Sequence, residues 1–197
     1  MQVAIVKYNA GNVRSVVNAL QRIGCTPIIT DSPEVLGKAD KVIFPGQGAA
    51  GTAMEYLKER GLDKVIRELK QPVLGICIGQ QLLCRHSEED NTDCIGVFPV
   101  DVHKFKATDA SEKIPAMGWN EITDIRTPLF NSIKNGDFVY FVHSFYVPLC
   151  RYTIATADYT LPFSAAIHKE NFYATQFHPE KSGDAGEQIL KNFLELT

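Results

Sequence analysis

The sequence predicts an α/β fold: a mixed, mainly parallel central sheet flanked by helices, with an antiparallel C-terminal addition. Three observations carry this. In the N-terminal half, short fully apolar runs alternate with amphipathic stretches, as in βαβ units whose sheet is covered on both faces. In the C-terminal half, short strand-like runs succeed one another with only turns between them. One amphipathic stretch then closes the chain. At 197 residues without linker or low-complexity tract, the chain reads as a single domain over 1–197, large enough to bury its own core.

Val3–Val6 is a β-branched first strand. Asn12 opens a helix whose Val13, Val16, Val17, Leu20 and Ile23 form one apolar stripe, and Gly24 stops it. Residues 27–29 and 42–44 read as strands, the second ended by Pro45-Gly46. A helix is expected over about 54–69, a strand over 72–76 and a helix over 78–85. The C-terminal runs are 95–104, 119–122, 138–142, 152–157, 165–168 and 172–176. The last helix follows Ser182-Gly183-Asp184 and buries Ile189, Leu190, Phe193 and Leu194. Residues 88–93 form an acidic run, read as a solvated surface turn.

The formal net charge of −3 provides no basic field, which argues against a dedicated nucleic-acid binder. No apolar run reaches the ~18 residues that span a bilayer, and the N-terminus lacks the features of a secretory signal. The five cysteines are odd in number and contain no CxxC pair to hold zinc, which points to free thiols in the reducing cytoplasm. No metal and no cofactor is expected. Gly46-Gln47-Gly48-Ala49-Ala50-Gly51 matches the dinucleotide pattern GxGxxG, but it follows the third strand, Pro45 stiffens the turn, and Glu68, where a ribose-binding acid is wanted, sits in a helical stretch and not at a strand end. The glycines serve equally to let backbone approach a ligand closely.

Gly75-Ile76-Cys77-Ile78-Gly79 is GxCxG at a strand-to-helix junction, the thiol form of a nucleophile elbow. The following helix favours thiolate at Cys77, and the Ile78 N–H is placed to stabilise an oxyanion. Cys84 reads as core, farther along that helix. Of the five histidines, His178 has the most telling surroundings. Pro179 fixes the backbone between it and Glu180, so the carboxylate can orient the imidazole as the acid does in a triad. His86 and His103 lie in polar segments without obvious partners.

GxCxGxQ, running through Gln80-Gln81, together with His178-Pro179-Glu180, resembles the class I glutamine amidotransferases, whose fold is flavodoxin-like. Residues 8–16, Pro45-Gly46-Gln47-Gly48, Met117-Gly118-Trp119-Asn120 and residues 140–146 resemble the glutaminase subunits of imidazole glycerol phosphate synthases, along essentially the whole chain. Gln80 stands where that family carries an apolar residue, and Phe145 where it carries tyrosine.

The resemblance implies glutamine hydrolysis by Cys77, His178 and Glu180, with Gln47 or Gly48 adding a second oxyanion donor. It implies that Gln81 and the backbone at Ser144 and Phe145 hold the amino-acid end of glutamine. It further implies a heterodimer with a cyclase barrel subunit that receives the ammonia, met through Asn12, Trp119 and Lys181. A glutaminase of another synthase, a related thiol hydrolase and a non-catalytic binding module are the alternatives.

Overall fold

The computed structural model describes residues 1–9, 11–107 and 112–197; Ala10 of the 8–16 segment lies outside them. In chain order the elements are β1 (Val3–Val6), α1 (Val13–Arg22), β2 (Ile28–Thr30), α2 (Pro33–Lys38), β3 (Lys41–Phe44), α3 (Ala50–Glu59), α4 (Leu62–Glu68), β4 (Val73–Ile76), α5 (Ile78–Leu83), β5 (Cys84–Ser87), β6 (Thr92–Asp93) and β7 (Phe98–Lys104). Then follow β8 (Ala116–Glu121), β9 (Phe138–His143), β10 (Phe145–Tyr146), β11 (Thr153–Tyr159), β12 (Leu161–Lys169), β13 (Phe172–Thr175) and α6 (Gly183–Glu195).

The main sheet has the order β11-β12-β13-β4-β3-β1-β2. From β2 to β13 every neighbour is parallel, and β12 and β11 extend the sheet antiparallel. The predicted class therefore holds, but only β11–β13 of the late strands join this sheet. The others form a four-stranded sheet, β10-β7-β5-β6, and a two-stranded one, β8-β9.

Strand alternation splits the core in two. Ala4, Val6, Val42, Phe44 and Val73 face α3, α4 and α5, while Val3, Ile5, Ile43, Leu74 and Ile76 face α1 and α6. Both faces of β1, β3 and β4 are thus covered, which is why they read as continuous apolar runs, whereas the edge strand β2 leaves Ile28 and Ile29 exposed.

Two local expectations are corrected, and one helix has no counterpart among them. The helix over 54–69 is two helices, parted at Gly61, whose φ of 66° makes it a left-handed cap for α4. The helix over 78–85 ends at Leu83, and Cys84 begins β5 while staying fully buried. Helix α2 carries no apolar stripe long enough to read; its signals are local, Ser32 Oγ accepting from Val35 N–H and Pro33 in the first turn.

One glycine is dictated by packing: a Cβ on Gly79 would run into the carbonyl oxygen of Phe44, because α5 crosses the end of β3 in direct backbone contact. Gly37, exposed in α2, has nothing within 4 Å of where a Cβ would stand. We expect Gly79→Ala to destabilise the chain by about 3 kcal/mol and Gly37→Ala to stabilise it by about 0.5–1 kcal/mol, read from urea unfolding midpoints.

Candidate active site

Four parallel strands, β1, β3, β4 and β13, end side by side, and the chain leaving each carries a site residue. This is where open α/β sheets bind ligands. Cys77 follows β4 directly, with φ 53° and ψ −107°. Its N–H donates to Thr175 O at 2.8 Å, so the turn is pinned to β13. Ile78 opens α5, and its N–H is one of the first-turn donors that have no intrahelical acceptor.

His178 and Glu180 come from the segment after β13. His178 Nδ1 and Glu180 Oε1 are 2.7 Å apart and both side chains are essentially inaccessible. The turn is held by Ser182 Oγ donating to His178 O at 2.6 Å, and by His178 N–H donating to Tyr140 O at 2.9 Å. Glu180 Oε1 also accepts from Asn12 Nδ2. Asn12, the residue expected to meet a partner, is thus also bonded to the Glu180 carboxylate. His178 Nε2 is buried, and the ring interacts with the Cys77 sulfur. Burial pulls the protonated ring down, but the Cys77 sulfur and the Glu180 carboxylate outweigh it and push His178 up to about 10.

The chain after β3 forms the opposite wall. Tyr8 Oη donates to Pro45 O at 2.5 Å and is itself buried, which raises its pKa, the nearby Cys77 adding to the effect. A Cβ on Gly46 would overlap Ile78 and the Tyr8 hydroxyl, so this glycine is there for close approach to the elbow. Gly11 N–H donates to Gln47 O at 3.0 Å, turning that carbonyl toward the β1–α1 turn. Gly48, at φ 143°, has open space around it.

Cys77, Ile78, Gln47, Gly48, Gln81, Ser144 and Phe145 line one cleft of about 380 Å³, joined by Val142, His143, Pro115 and Glu89. Gln81 is buried, and its Nε2 donates to Phe145 O at 3.2 Å and to Gln176 Oε1 at 3.0 Å. Both amide hydrogens are thereby used, and Gln81 Oε1 is left as an acceptor. His143 Nδ1 lies 2.7 Å from the same Phe145 carbonyl, which only accepts, so the proton is on Nδ1. Burial lowers His143 to about 4, leaving it neutral near pH 7.

Glu89 corrects the reading of 88–93 as a solvated turn. Its carboxylate is half-buried, accepts from Ala50 N–H at 2.8 Å and faces the cleft. Burial raises its pKa, more than the Ala50 bond lowers it. An acidic run gives no sign of which member turns inward. Likewise His86 and His103 do have partners, Asp93 and Glu88, each at 3.0 Å.

Trp119 and Lys181 lie outside the cleft. Trp119 is 55% exposed and packs edge-on against Tyr140, and Lys181 Nζ sits 6.0 Å from the same ring. All five cysteines are free. No helix among the described residues is long and apolar enough to cross a membrane.

The family model for glutamine amidotransferase class-I matches residues 4–196. The chain is 60% identical over 196 residues to the imidazole glycerol phosphate synthase subunit HisH of Bacteroides fragilis (strain YCH46), covering all of both chains. It is 46% identical over 198 residues to the subunit of the same name from Escherichia coli (strain K12), again over all of both. Among solved structures it resembles a glutamine amidotransferase from Thermotoga maritima, at TM-score 0.66 and 18% identity, over 99% of this chain and 83% of that one. That likeness is one of fold.

Because the folded His178 pKa lies above its ordinary 6.5, the protonated ring stabilises the fold fully below about pH 6.5, and this contribution is lost as pH rises through about 10. Glu180→Gln should move the NMR titration of His178 to lower pH. Its loss of stability relative to the native chain should be larger at pH 6 than at pH 10.5, read from denaturant midpoints.

Proposed function

This chain belongs to the glutamine amidotransferase class-I family, and we propose that Cys77, His178 and Glu180 are its catalytic triad, releasing ammonia from glutamine. The observation that supports this most is the strained Cys77 elbow beside an imidazole whose far nitrogen is held by a buried carboxylate.

In this reading His178 Nε2 already holds the proton taken from the thiol, as the imidazolium of an ion pair, and Cys77 Sγ adds to the side-chain amide carbon of glutamine. The resulting oxyanion meets the Ile78 N–H and a donor from the Gln47–Gly48 peptides. One such donor contributes about 2.7–4 kcal/mol. His178 returns the proton to the departing nitrogen, the C–N bond breaks, and ammonia leaves. Water, deprotonated by the same imidazole, cleaves the thioester to glutamate and restores the thiol. Glu89 and the free Oε1 of Gln81 are acceptors suited to the α-ammonium of the substrate. Backbone N–H groups at Ser144 and Phe145 suit its α-carboxylate.

The relatives are named as subunits of a synthase, and we take the ammonia released here to pass to a partner subunit. We take that partner to be the cyclase barrel subunit of imidazole glycerol phosphate synthase, in histidine biosynthesis, and the compartment to be the cytoplasm. Pairing in β8-β9 puts Met117, Trp119, Phe138 and Tyr140 on one side of the ribbon, and Val142 carries that side to the cleft. Met117, Trp119 and Phe138 are each more than half exposed, which suits a protein interface next to the point of ammonia release. Asn12, bonded to Glu180, and Lys181, beside the Tyr140 ring, are the further partner contacts of this reading.

Cys77→Ala should abolish glutamate release with the fold retained, while Cys84→Ala costs stability alone. Mixing the native chain with the cyclase partner, itself loaded with its nucleotide ligand, should raise glutamate release at least about tenfold. A gain of that size needs only about 1.4 kcal/mol, less than one oxyanion donor supplies. Equal rates with and without the partner would move the assignment to a free-standing hydrolase. Trp119→Ala should weaken the complex by about 2 kcal/mol, measured by calorimetry.

A further inference from the structure

We propose that Gln176 is a further residue of the nucleophilic site, its side-chain amide donating to the Cys77 sulfur and favouring the attacking thiolate. The proposal rests on the reading of Cys77 as nucleophile and adds a group that the triad does not contain.

Gln176 leaves the end of β13 and is completely buried. Its own N–H is satisfied by Ala165 O at 2.8 Å, so the side chain is free to serve the site. Gln176 Nε2 lies 3.7 Å from Cys77 Sγ, and Gln176 Oε1 accepts from Gln81 Nε2 at 3.0 Å.

The chemistry of the neighbours fixes which end of the amide meets the sulfur. Phe145 O is a backbone carbonyl and only accepts. Gln81 must therefore turn its NH₂ toward Phe145, at 3.2 Å. The second hydrogen of that NH₂ needs an acceptor, which makes the facing atom of Gln176 its oxygen. The remaining end of Gln176, the donor, is then the one against Cys77. A flipped Gln176 would set NH₂ against NH₂ in a site closed to water, leaving buried hydrogens unpaired.

The sulfur thus sits between opposing influences. Val142 O, 3.8 Å away, accepts from the thiol and favours the protonated form, whereas the Gln176 amide, a donor only on that side, favours the anion. Gln176 and His178 are two residues apart, so one stretch of extended chain supplies both the proton acceptor and the sulfur's hydrogen-bond donor. Through Gln81, the same amide chain links the sulfur to the Phe145 carbonyl in the substrate wall.

The test is the pH dependence of Cys77 alkylation by iodoacetamide in the full-length chain, read by mass spectrometry of the Cys77 peptide. Gln176→Met removes the donor; its alkylation midpoint should rise by about one pH unit, the lower range for a hydrogen bond to a charged group. Gln176→Glu keeps an acceptor for Gln81 but sets a carboxylate against the sulfur. Its midpoint should rise further, and with the partner present kcat should fall at least about tenfold while KM stays within about threefold. Unchanged midpoints in both variants would overturn the proposal. In the native chain, the side-chain ¹⁵N–¹H resonances of Gln176 should move as Cys77 titrates and stay still in Cys77→Ala. Resonances that ignore the titration would also overturn it, whether or not the variants fold. A native chain that fails to release glutamate with its partner would instead count against the glutaminase reading, and the alkylation midpoints would still decide the role of Gln176.

Discussion

Residue 77 is held at φ 53°, ψ −107°, a conformation that costs an L-residue on the order of 1–3 kcal/mol. Much of the surrounding structure serves to hold it there. The Cys77 N–H is tied to Thr175 O, β4 is clamped between β3 and β13, and α5 presses its backbone onto Phe44 O where only glycine fits. Gly75 is crowded in the same way by Leu83 and by the backbone of Gly79. The two glycines of the motif are therefore consequences of backbone packing as much as of the turn itself. The strain leaves the sulfur projecting from the sheet edge into the cleft while the thiol's neighbours remain solid core.

Around that turn the site is assembled from residues far apart in sequence because parallel strands end together. β1 delivers Tyr8 and the Gly11–Asn12 turn, β3 delivers Gly46 to Gly48, β4 delivers Cys77, and β13 Gln176, His178 and Glu180. The β1–α1 turn touches two walls at once, Gly11 holding the Gln47 carbonyl and Asn12 holding Glu180. A displacement of that turn would therefore reach both the oxyanion side and the triad side. The remaining lining, from 142 to 145 and 89, comes from the smaller sheets and the acidic loop, which lie outside the seven-stranded sheet.

Much of this is legible in the sequence, for definable reasons. Strands such as Val3–Val6 and Val73–Ile76 are apolar on both faces, and the amphipathic stripe of α1 is long enough to show its period. GxCxG and His-Pro-Glu are local in sequence, so their geometry travels with them. What stays hidden is non-local. Glu89 turns inward because the start of α3 offers it the Ala50 N–H, a contact between segments 39 residues apart. Gln176 matters through Gln81 and Cys77, which lie nearly a hundred residues upstream, though its two-residue spacing from His178 is a usable signal. Cys84–Ser87 carries no strand pattern of its own and is extended because β7 and β6 pair with it. The bond from Asn12 to Glu180 joins residues 168 positions apart and has no local signal either.

The central claim is that Cys77 alone attacks the side-chain carbonyl carbon of a bound glutamine. The direct measurement is mass spectrometry after exposure to a glutamine analogue that carries an electrophilic carbon in place of the amide. The account predicts one adduct per chain, on Cys77, whose formation is prevented by excess glutamine. An adduct on Cys84, Cys94 or Cys150, or labelling of Cys77 that glutamine leaves undiminished, would contradict it.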